Sequence, residues 1–213
     1  MVADVSRRIA AGAGDQSLHL RPGWADRETF VPEQTRAIYA SGDSARDIRD
    51  HAVLILLATY GFRSGEVAGL RLEDVNWEGE MVTIVRPKAR RAQLYPLVCE
   101  AGEAILRYLQ RVRPHCARRE IFLTLKAPFR RLSQRALYHV VSTRLSALGI
   151  HVPRRGPHSL RHACAGHLQT EGFSLKEIGD HLGHRSAYAT RIYAKVDLVG
   201  LREVANLDLG GLR

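Results

Sequence analysis

A chain of 213 residues with 45% hydrophobic side chains is long enough to bury one substantial core and to carry a short appendage. Its longest apolar run, 52–59, is far shorter than the roughly 20 residues of a membrane span. Arg7 and Arg8 are followed by small residues and Asp15, which excludes the apolar core of a signal peptide. We therefore expect a cytoplasmic protein.

The charge balance favours a polyanionic partner. The chain carries 32 Lys and Arg against 22 Asp and Glu, a formal net charge of +10. Because each neutralised phosphate releases condensed counterions, such an excess favours binding to nucleic acid. Charge indicates a class of partner and leaves the reaction open.

The three cysteines, Cys99, Cys116 and Cys164, are odd in number and far apart. Because they include no CxxC pair, they predict neither a disulfide framework nor a cysteine-built zinc site. We expect them to be reduced and mostly buried.

The first predicted elements are helical. Residues 1–27 have no sustained hydrophobic period and are predicted to form a poorly ordered tail. Beyond Pro32, the pattern predicts one helix over 33–40 and another over 44–60, the second closed by Gly61.

The middle of the chain changes to the pattern of β-strands. Short strands are predicted at 75–77, 81–85 and 93–97, with turns at 78–80 and 87–91. Such closely spaced strands predict one small antiparallel sheet.

Helices return after the strands. They are predicted over 101–112 and 133–148, and from about His158. Ser174 and Glu177 form a capping box for a short helix that ends at Gly183, and a last amphipathic helix is predicted over 197–207. The predicted fold class is therefore mainly α with a small antiparallel β-sheet (α+β).

Two basic side chains in the first half are candidates for binding an anion. Arg63 stands where one helix stops and the next begins, with Glu66 one turn further on. By themselves these two residues are typical of a surface ion pair. Lys88 lies at the tip of the second predicted hairpin, from which it could reach a ligand, although basic turns are common on protein surfaces.

A further group of candidates lies at the predicted helix start near Pro157. His158 and Arg161 share a helix face, close to an N-terminus whose dipole favours an anion. An arginine beside an imidazole suits a phosphodiester, because it supplies charge-assisted bonds and a titratable donor. The alternatives are a solvated basic helix start and a metal site, since His158 and His162 have a zinc-chelating spacing without a third ligand fixed by the pattern.

The last candidates lie near the C-terminus. His184 directly follows Leu182 and Gly183, and Tyr193 lies in a stretch of helical composition. An isolated tyrosine there is typical of a half-buried residue on an amphipathic helix.

Together these motifs resemble the tyrosine recombinase (phage integrase) family over roughly residues 28–200. The run 59–66 resembles the family's first arginine motif, and the run 85–97 resembles its lysine hairpin. The run 158–161 matches the H-x-x-R box, the run 182–184 matches the L-G-H box, and Tyr193 matches the nucleophile. All five motifs occur in the order and spacing of the family.

The resemblance implies a tyrosine recombinase catalytic domain over 28–213 that cuts and rejoins double-stranded DNA through a 3′-phosphotyrosyl intermediate. It makes Tyr193 the nucleophile and Glu66 an accessory acid, and it gives the other catalytic roles to Arg63, Lys88, His158, Arg161 and His184. It implies no metal, no ATP and no other cofactor. It also implies a homo-oligomer, a tetramer on paired DNA sites.

The chain departs from the family pattern in a few places. Phe62 stands where leucine is usual, and Ala163 stands where threonine or serine is common. Family members normally carry a core-binding domain before the catalytic part, and here we expect only the short tail. The isolated chain should then bind DNA weakly and with a strong dependence on salt.

Three alternatives stay open at this point. The chain could be a truncated recombinase that binds DNA as a non-catalytic accessory, or a metal-dependent hydrolase built on its histidines. It could also be a relative with the same chemistry and another product, such as a topoisomerase-like or hairpin-forming enzyme. Trapping of a covalent adduct, a metal assay and product analysis would distinguish them.

Overall fold

A computed structural model describes residues 42–86, 91–150 and 155–183. The predicted N-terminal tail and the predicted helices at 33–40 and 197–207 lie outside the described residues. Lys88, His184 and Tyr193 also lie outside them, so their assignments stay predictions.

Helices make up most of the described residues: α1 (Ala45–Thr59), α2 (Ser64–Gly69), α3 (Cys99–Arg111), α4 (Gln134–Ala147), α5 (Pro157–Thr170) and α6 (Leu175–Leu182). A short 3₁₀ turn, Leu72–Asp74, follows α2. Between this turn and α3, the strands β1 (Val75–Asn76), β2 (Met81–Arg86) and β3 (Arg91–Pro96) form one antiparallel sheet in that order. The predicted fold class is confirmed.

Helix α1 is the central element of the core. The Ser44 hydroxyl caps it by accepting a hydrogen bond from the Asp47 backbone N–H at 3.1 Å. The whole run from Ala52 to Thr59 is buried, so the C-terminal half of the helix is buried on all sides, whereas the first half carries charged residues and buries Ile48. It ends at Tyr60, whose hydroxyl donates to the Pro96 carbonyl at 2.8 Å and so joins the helix end to the end of the sheet.

The sheet turns one face to this core and the other to solvent. Along β2 the inward positions are Val82, Ile84 and Arg86, all buried, whereas Val85 between them is exposed. Val82 pairs with the buried Tyr95 on β3. Arg86 therefore continues an apolar face with a charged side chain.

A second, smaller hydrophobic cluster joins α5 to α6. Cys164, Ala165 and Leu168 from α5 pack against Ile178 and Leu182 from α6. This packing fixes the C-terminal end of α6 beside α5, and it is where the described residues of the site meet.

The cysteine prediction was partly wrong. All three thiols are free, but Cys99 is exposed, Cys116 is partly exposed and only Cys164 is buried. Cys99 begins α3 and points away from its buried face, which Ala101 and Ile105 form. Burial raises the pKa of the Cys164 thiol to about 12, and the thiol donates to the Thr59 carbonyl at 3.5 Å.

Element boundaries differ from the predictions by at most two residues, as expected for local signals. Helix α3 begins at Cys99, and α5 begins at Pro157, a residue that favours the first helical position. Strand β3 begins at Arg91, which the prediction placed in the turn. Within the described residues, no helix is both long and apolar enough to cross a membrane.

Gly61→Ala should destabilise the fold. Gly61 has φ +63°, a left-handed conformation that costs other residues about 1–2 kcal/mol, and an added Cβ would lie 2.8 Å from Leu182 Cδ2. The matched control is Gly166→Ala within α5, where an added Cβ meets nothing within 4 Å and helix propensity favours alanine by about 1 kcal/mol. Urea unfolding should show loss of stability in the first variant and a small gain in the second. Equal stabilities would contradict the packing described for Gly61.

Candidate active site

Arg63 is fixed by the loop between α1 and α2 and by the first turn of α2. One Glu66 oxygen, Oε2, accepts the Arg63 backbone N–H at 2.8 Å, and the other, Oε1, accepts Arg63 Nη1 at 2.8 Å. The Glu66 side chain is only 6% exposed, while that of Arg63 is 45% exposed. A single buried carboxylate therefore orients both the backbone and the guanidinium of an arginine that reaches solvent.

Arg161 lies on α5 and is 4% exposed. Its Nη1 donates to the Gly61 carbonyl at 2.6 Å, and its Nη2 donates to the Leu182 carbonyl at 2.6 Å. The left-handed turn at Gly61 and the end of α6 thus hold the guanidinium from two sides. Charge-assisted bonds to two carbonyls explain how a charged side chain is accommodated in the protein interior.

The two predicted catalytic arginines meet at the end of α6. Arg63 Nη2 donates to the Gly183 carbonyl at 3.2 Å, directly beside the Leu182 carbonyl that Arg161 binds. Residues that are far apart in the sequence therefore place their guanidinium groups on consecutive carbonyls. His184, the next residue of the chain, lies outside the described residues.

His158 lies one turn before Arg161 on the same helix. Its Nε2 lies 2.9 Å from Nε2 of His162, and the two rings are close to perpendicular, at 78°. At this distance one imidazole N–H donates to the ring nitrogen of the other, and the tautomers decide which ring is the donor. Helix α5 thus places His158 one turn before Arg161, with the His158 side chain exposed.

Further side chains bind the carbonyl end of α6, and the sequence did not single them out. The Tyr95 hydroxyl donates to the His181 carbonyl at 2.5 Å, and Gln93 Nε2 donates to the Asp180 carbonyl at 3.0 Å. Arg86 Nη2 donates to the Tyr95 hydroxyl at 2.6 Å. A helix C-terminus leaves carbonyls without partners in its own helix and carries a partial negative charge, so donors and cations stabilise it.

The β2 pattern in the sequence contained a signal for Arg86. Every second residue of β2 is buried, and Arg86 occupies the last of these buried positions, where the pattern predicts an apolar side chain. A charged residue there predicts a buried partner, which the structure supplies in Glu66. Nothing in the local sequence identified that partner, because Glu66 belongs to another element.

His181 is buried behind the arginines and is 1% exposed. Its Nε2 lies 3.1 Å from the Tyr60 carbonyl, and its ring packs edge-on against Tyr95. Burial, reinforced by the positive charges of Arg86 and Arg161, lowers the pKa of His181 to about 4. His181 is therefore neutral near pH 7 and adds no charge to the cluster.

The metal alternative finds no ligand set in the part of the chain that the structure describes. There, no group of three or more histidine, cysteine, aspartate or glutamate side chains is placed to hold a metal ion. His158 and His162 form a pair without a third ligand among the described residues.

Comparisons with known proteins define the class of this chain. The family model described as "Phage integrase family" matches residues 28–198. The chain is 45% identical over 166 residues to "Putative integrase/recombinase y4gC" of Sinorhizobium fredii, covering 77% of this chain and 84% of that protein. It is 35% identical over 161 residues to "Tyrosine recombinase XerC" of Thermodesulfovibrio yellowstonii, covering 73% and 53% of the two chains. The chain belongs to the phage integrase family.

A solved structure supports the fold. The XerH site-specific recombinase bound to palindromic difH substrate, in a post-cleavage complex, is similar with a TM-score of 0.68 and 22% identity. The match covers 83% of this chain and 52% of that one. The chain thus spans about half the length of the XerC and XerH proteins that it matches.

The stability of the fold should depend on the titration of His181. The unfolded chain takes up a proton near the ordinary histidine pKa of 6.5, whereas folded His181 resists protonation until about pH 4. The free energy of unfolding should therefore fall as the pH decreases from 6.5 towards 4, and His181 should account for roughly 3 kcal/mol of this loss. Above pH 6.5, the titration of His181 should not change the stability.

Urea unfolding of the wild type and of His181→Gln between pH 7 and pH 4.5 measures this contribution. Glutamine keeps an N–H donor but cannot titrate, so the acid-side loss should be smaller in the variant. Replacement of the exposed His115 by glutamine is the matched control. Identical pH profiles for the wild type and His181→Gln would contradict the prediction.

Proposed function

We propose that this chain is the catalytic part of a site-specific DNA recombinase or integrase that cuts and rejoins double-stranded DNA through a covalent 3′-phosphotyrosyl intermediate. The observation that carries this proposal is the convergence of Arg63 and Arg161 on the consecutive carbonyls of Leu182 and Gly183, directly before His184. Membership of the phage integrase family and the fold shared with a DNA-bound recombinase support it.

The arginine pair suits a phosphodiester. Displacement at phosphorus concentrates negative charge on the two non-bridging oxygens, and guanidinium groups offer N–H donors in the planar geometry that a phosphate needs. Their positions are set before the ligand binds, so little reorganisation accompanies the reaction. His158 and His184 would add hydrogen bonds to the same oxygens.

Tyr193 is the proposed nucleophile. As its phenolic oxygen forms a bond to phosphorus, the bond from phosphorus to the 5′-oxygen breaks, and the DNA 3′-phosphate becomes linked to the tyrosine. His158 accepts the phenolic proton, and Lys88 donates a proton to the departing 5′-oxygen. Attack by a 5′-hydroxyl from a partner strand reverses these steps and releases the tyrosine.

This scheme conserves the energy of the broken phosphodiester in the protein linkage. Rejoining therefore consumes no ATP, and the cationic side chains take the electrophilic role that a metal would otherwise fill. The proposed setting is cytoplasmic, with the chain acting as a homo-oligomer, a tetramer, on paired DNA sites. Integration, excision and transposition share this chemistry and differ in the sites that are joined.

Tyr193→Phe should abolish covalent protein–DNA adducts and leave DNA affinity nearly unchanged, because the variant lacks only the attacking oxygen. A nicked suicide substrate traps the adduct, which migrates slowly on a denaturing gel, and a mobility-shift assay measures binding. Tyr138→Phe, at an exposed tyrosine on α4, is the matched control and should form adducts like the wild type. Adduct formation by Tyr193→Phe would refute the assignment, and no adduct with the wild type would favour a non-catalytic DNA-binding accessory.

Cleavage should persist in the presence of a chelator. In the proposed chemistry, side chains alone stabilise the transition state, so excess EDTA should change the rate of adduct formation less than about twofold, whereas loss of an essential electrophile typically costs two to three powers of ten. The assay is the same suicide substrate, with and without EDTA. Loss of cleavage that is restored by added Zn²⁺ would revive the metal-dependent alternative.

A further inference from the structure

Arg86 is a buried cation that the proposed chemistry does not use. It ends β2 and is 7% exposed, with Val82 and Ile84 preceding it on the same buried face. Burial of a guanidinium is costly unless it is paired and hydrogen-bonded, so its partners indicate why the fold retains it.

Those partners belong to the candidate site. Arg86 Nε lies 3.1 Å from Glu66 Oε1, the same oxygen that accepts Arg63 Nη1 at 2.8 Å. One carboxylate oxygen therefore lies between two guanidinium groups. Any movement of Glu66 away from Arg86 would also change the position of Arg63.

Arg86 also contacts the segment that leads into His184. Its Nη2 donates to the Tyr95 hydroxyl at 2.6 Å and to the His181 carbonyl at 3.4 Å. At Gly183, an added Cβ would lie 1.1 Å from Arg86 Nη1, so only glycine allows the guanidinium to pack against the backbone there. Gly183 also has φ +62°, a second reason for glycine at this position.

We propose that Arg86 is a positioning residue for DNA strand transfer. It holds Glu66 in place and through it Arg63, and it seats the end of α6 from which the chain continues to His184. Arg86 acts through these residues and makes no contact with DNA itself. This role rests on the proposed function.

The role requires a guanidinium rather than a positive charge alone. Arg86 Nε forms an ion pair with Glu66 Oε1 at 3.1 Å without the alignment of a hydrogen bond, while Nη2 donates to the Tyr95 hydroxyl and the His181 carbonyl. The planar guanidinium therefore reaches a carboxylate on one side and oxygens of two other elements on the other. A lysine has one nitrogen and cannot occupy both positions. Arg86→Lys therefore keeps the charge and removes the simultaneous contacts.

The test compares wild type, Arg86→Lys and Arg86→Met in single-turnover adduct formation on a nicked suicide substrate at saturating DNA. A displacement of about 1 Å in catalytic groups costs about a hundredfold in rate, so we expect a loss of that order in Arg86→Lys and a larger one in Arg86→Met. DNA affinity should stay within about threefold in Arg86→Lys. All reactions are run at a temperature well below the thermal unfolding midpoint of each variant.

Arg113→Met is the matched control for a merely structural arginine. Arg113 also donates to backbone carbonyls, those of Glu120 and Ile121, away from the site. It should lose stability while keeping a cleavage rate close to that of the wild type. A loss of rate in Arg113→Met equal to that in Arg86→Lys, at similar stability, would overturn the proposal.

A double-mutant cycle tests the route through Glu66. If Arg86 positions Arg63 partly by holding Glu66, the combined Arg86→Met and Glu66→Gln variant should lose less rate than the product of the two single losses. Losses that multiply would overturn this route.

If Arg86→Lys does not fold, Tyr95→Phe removes one anchor of the guanidinium and should lower the rate about tenfold. An unchanged rate in Tyr95→Phe would overturn the proposal.

The reaction of the wild type distinguishes a failure of the proposed function from a failure of the role proposed for Arg86. Absence of a wild-type adduct would refute the proposed function, and the positioning role with it. A wild-type adduct together with an unchanged rate in Arg86→Lys would refute the role of Arg86 alone.

Discussion

The backbone carbonyls at the end of α6 are the constraint around which the described site is built. A helix cannot satisfy its last carbonyls, and here those of residues 180–183 accept hydrogen bonds from side chains of other elements. The donors come from the α1–α2 loop, from β2 and β3, and from α5. One set of contacts therefore ties three distant parts of the chain to the residues before His184.

This arrangement explains how several cations lie close together in a folded protein. Arg63 and Arg86 share Glu66, while Arg161 donates to the Gly61 and Leu182 carbonyls and His181 stays neutral through burial. Carbonyl dipoles offset part of the repulsion without cancelling the charge. The site keeps an excess of positive charge, which is the property a phosphodiester ligand requires.

Local signals predicted most of the described fold. Ser174 caps its helix as predicted, and Gly61, Gly149 and Gly183 all have positive φ where helices were predicted to stop. Caps and stops depend on a few neighbouring residues, so a single sequence reveals them. The exposure of Cys99 was missed because burial depends on which helix face packs, and two of the three cysteines lie outside the core.

The sequence by itself determined the chemical groups of this protein and its family: arginines, histidines and a tyrosine in a recognisable order, on elements of predictable type. Only the tertiary structure decided that Arg63 and Arg161 meet at neighbouring carbonyls, and that Arg86 shares a carboxylate with Arg63. The physical reason is that these contacts join residues up to 120 positions apart. Such contacts follow from packing of the whole core, which no local pattern encodes.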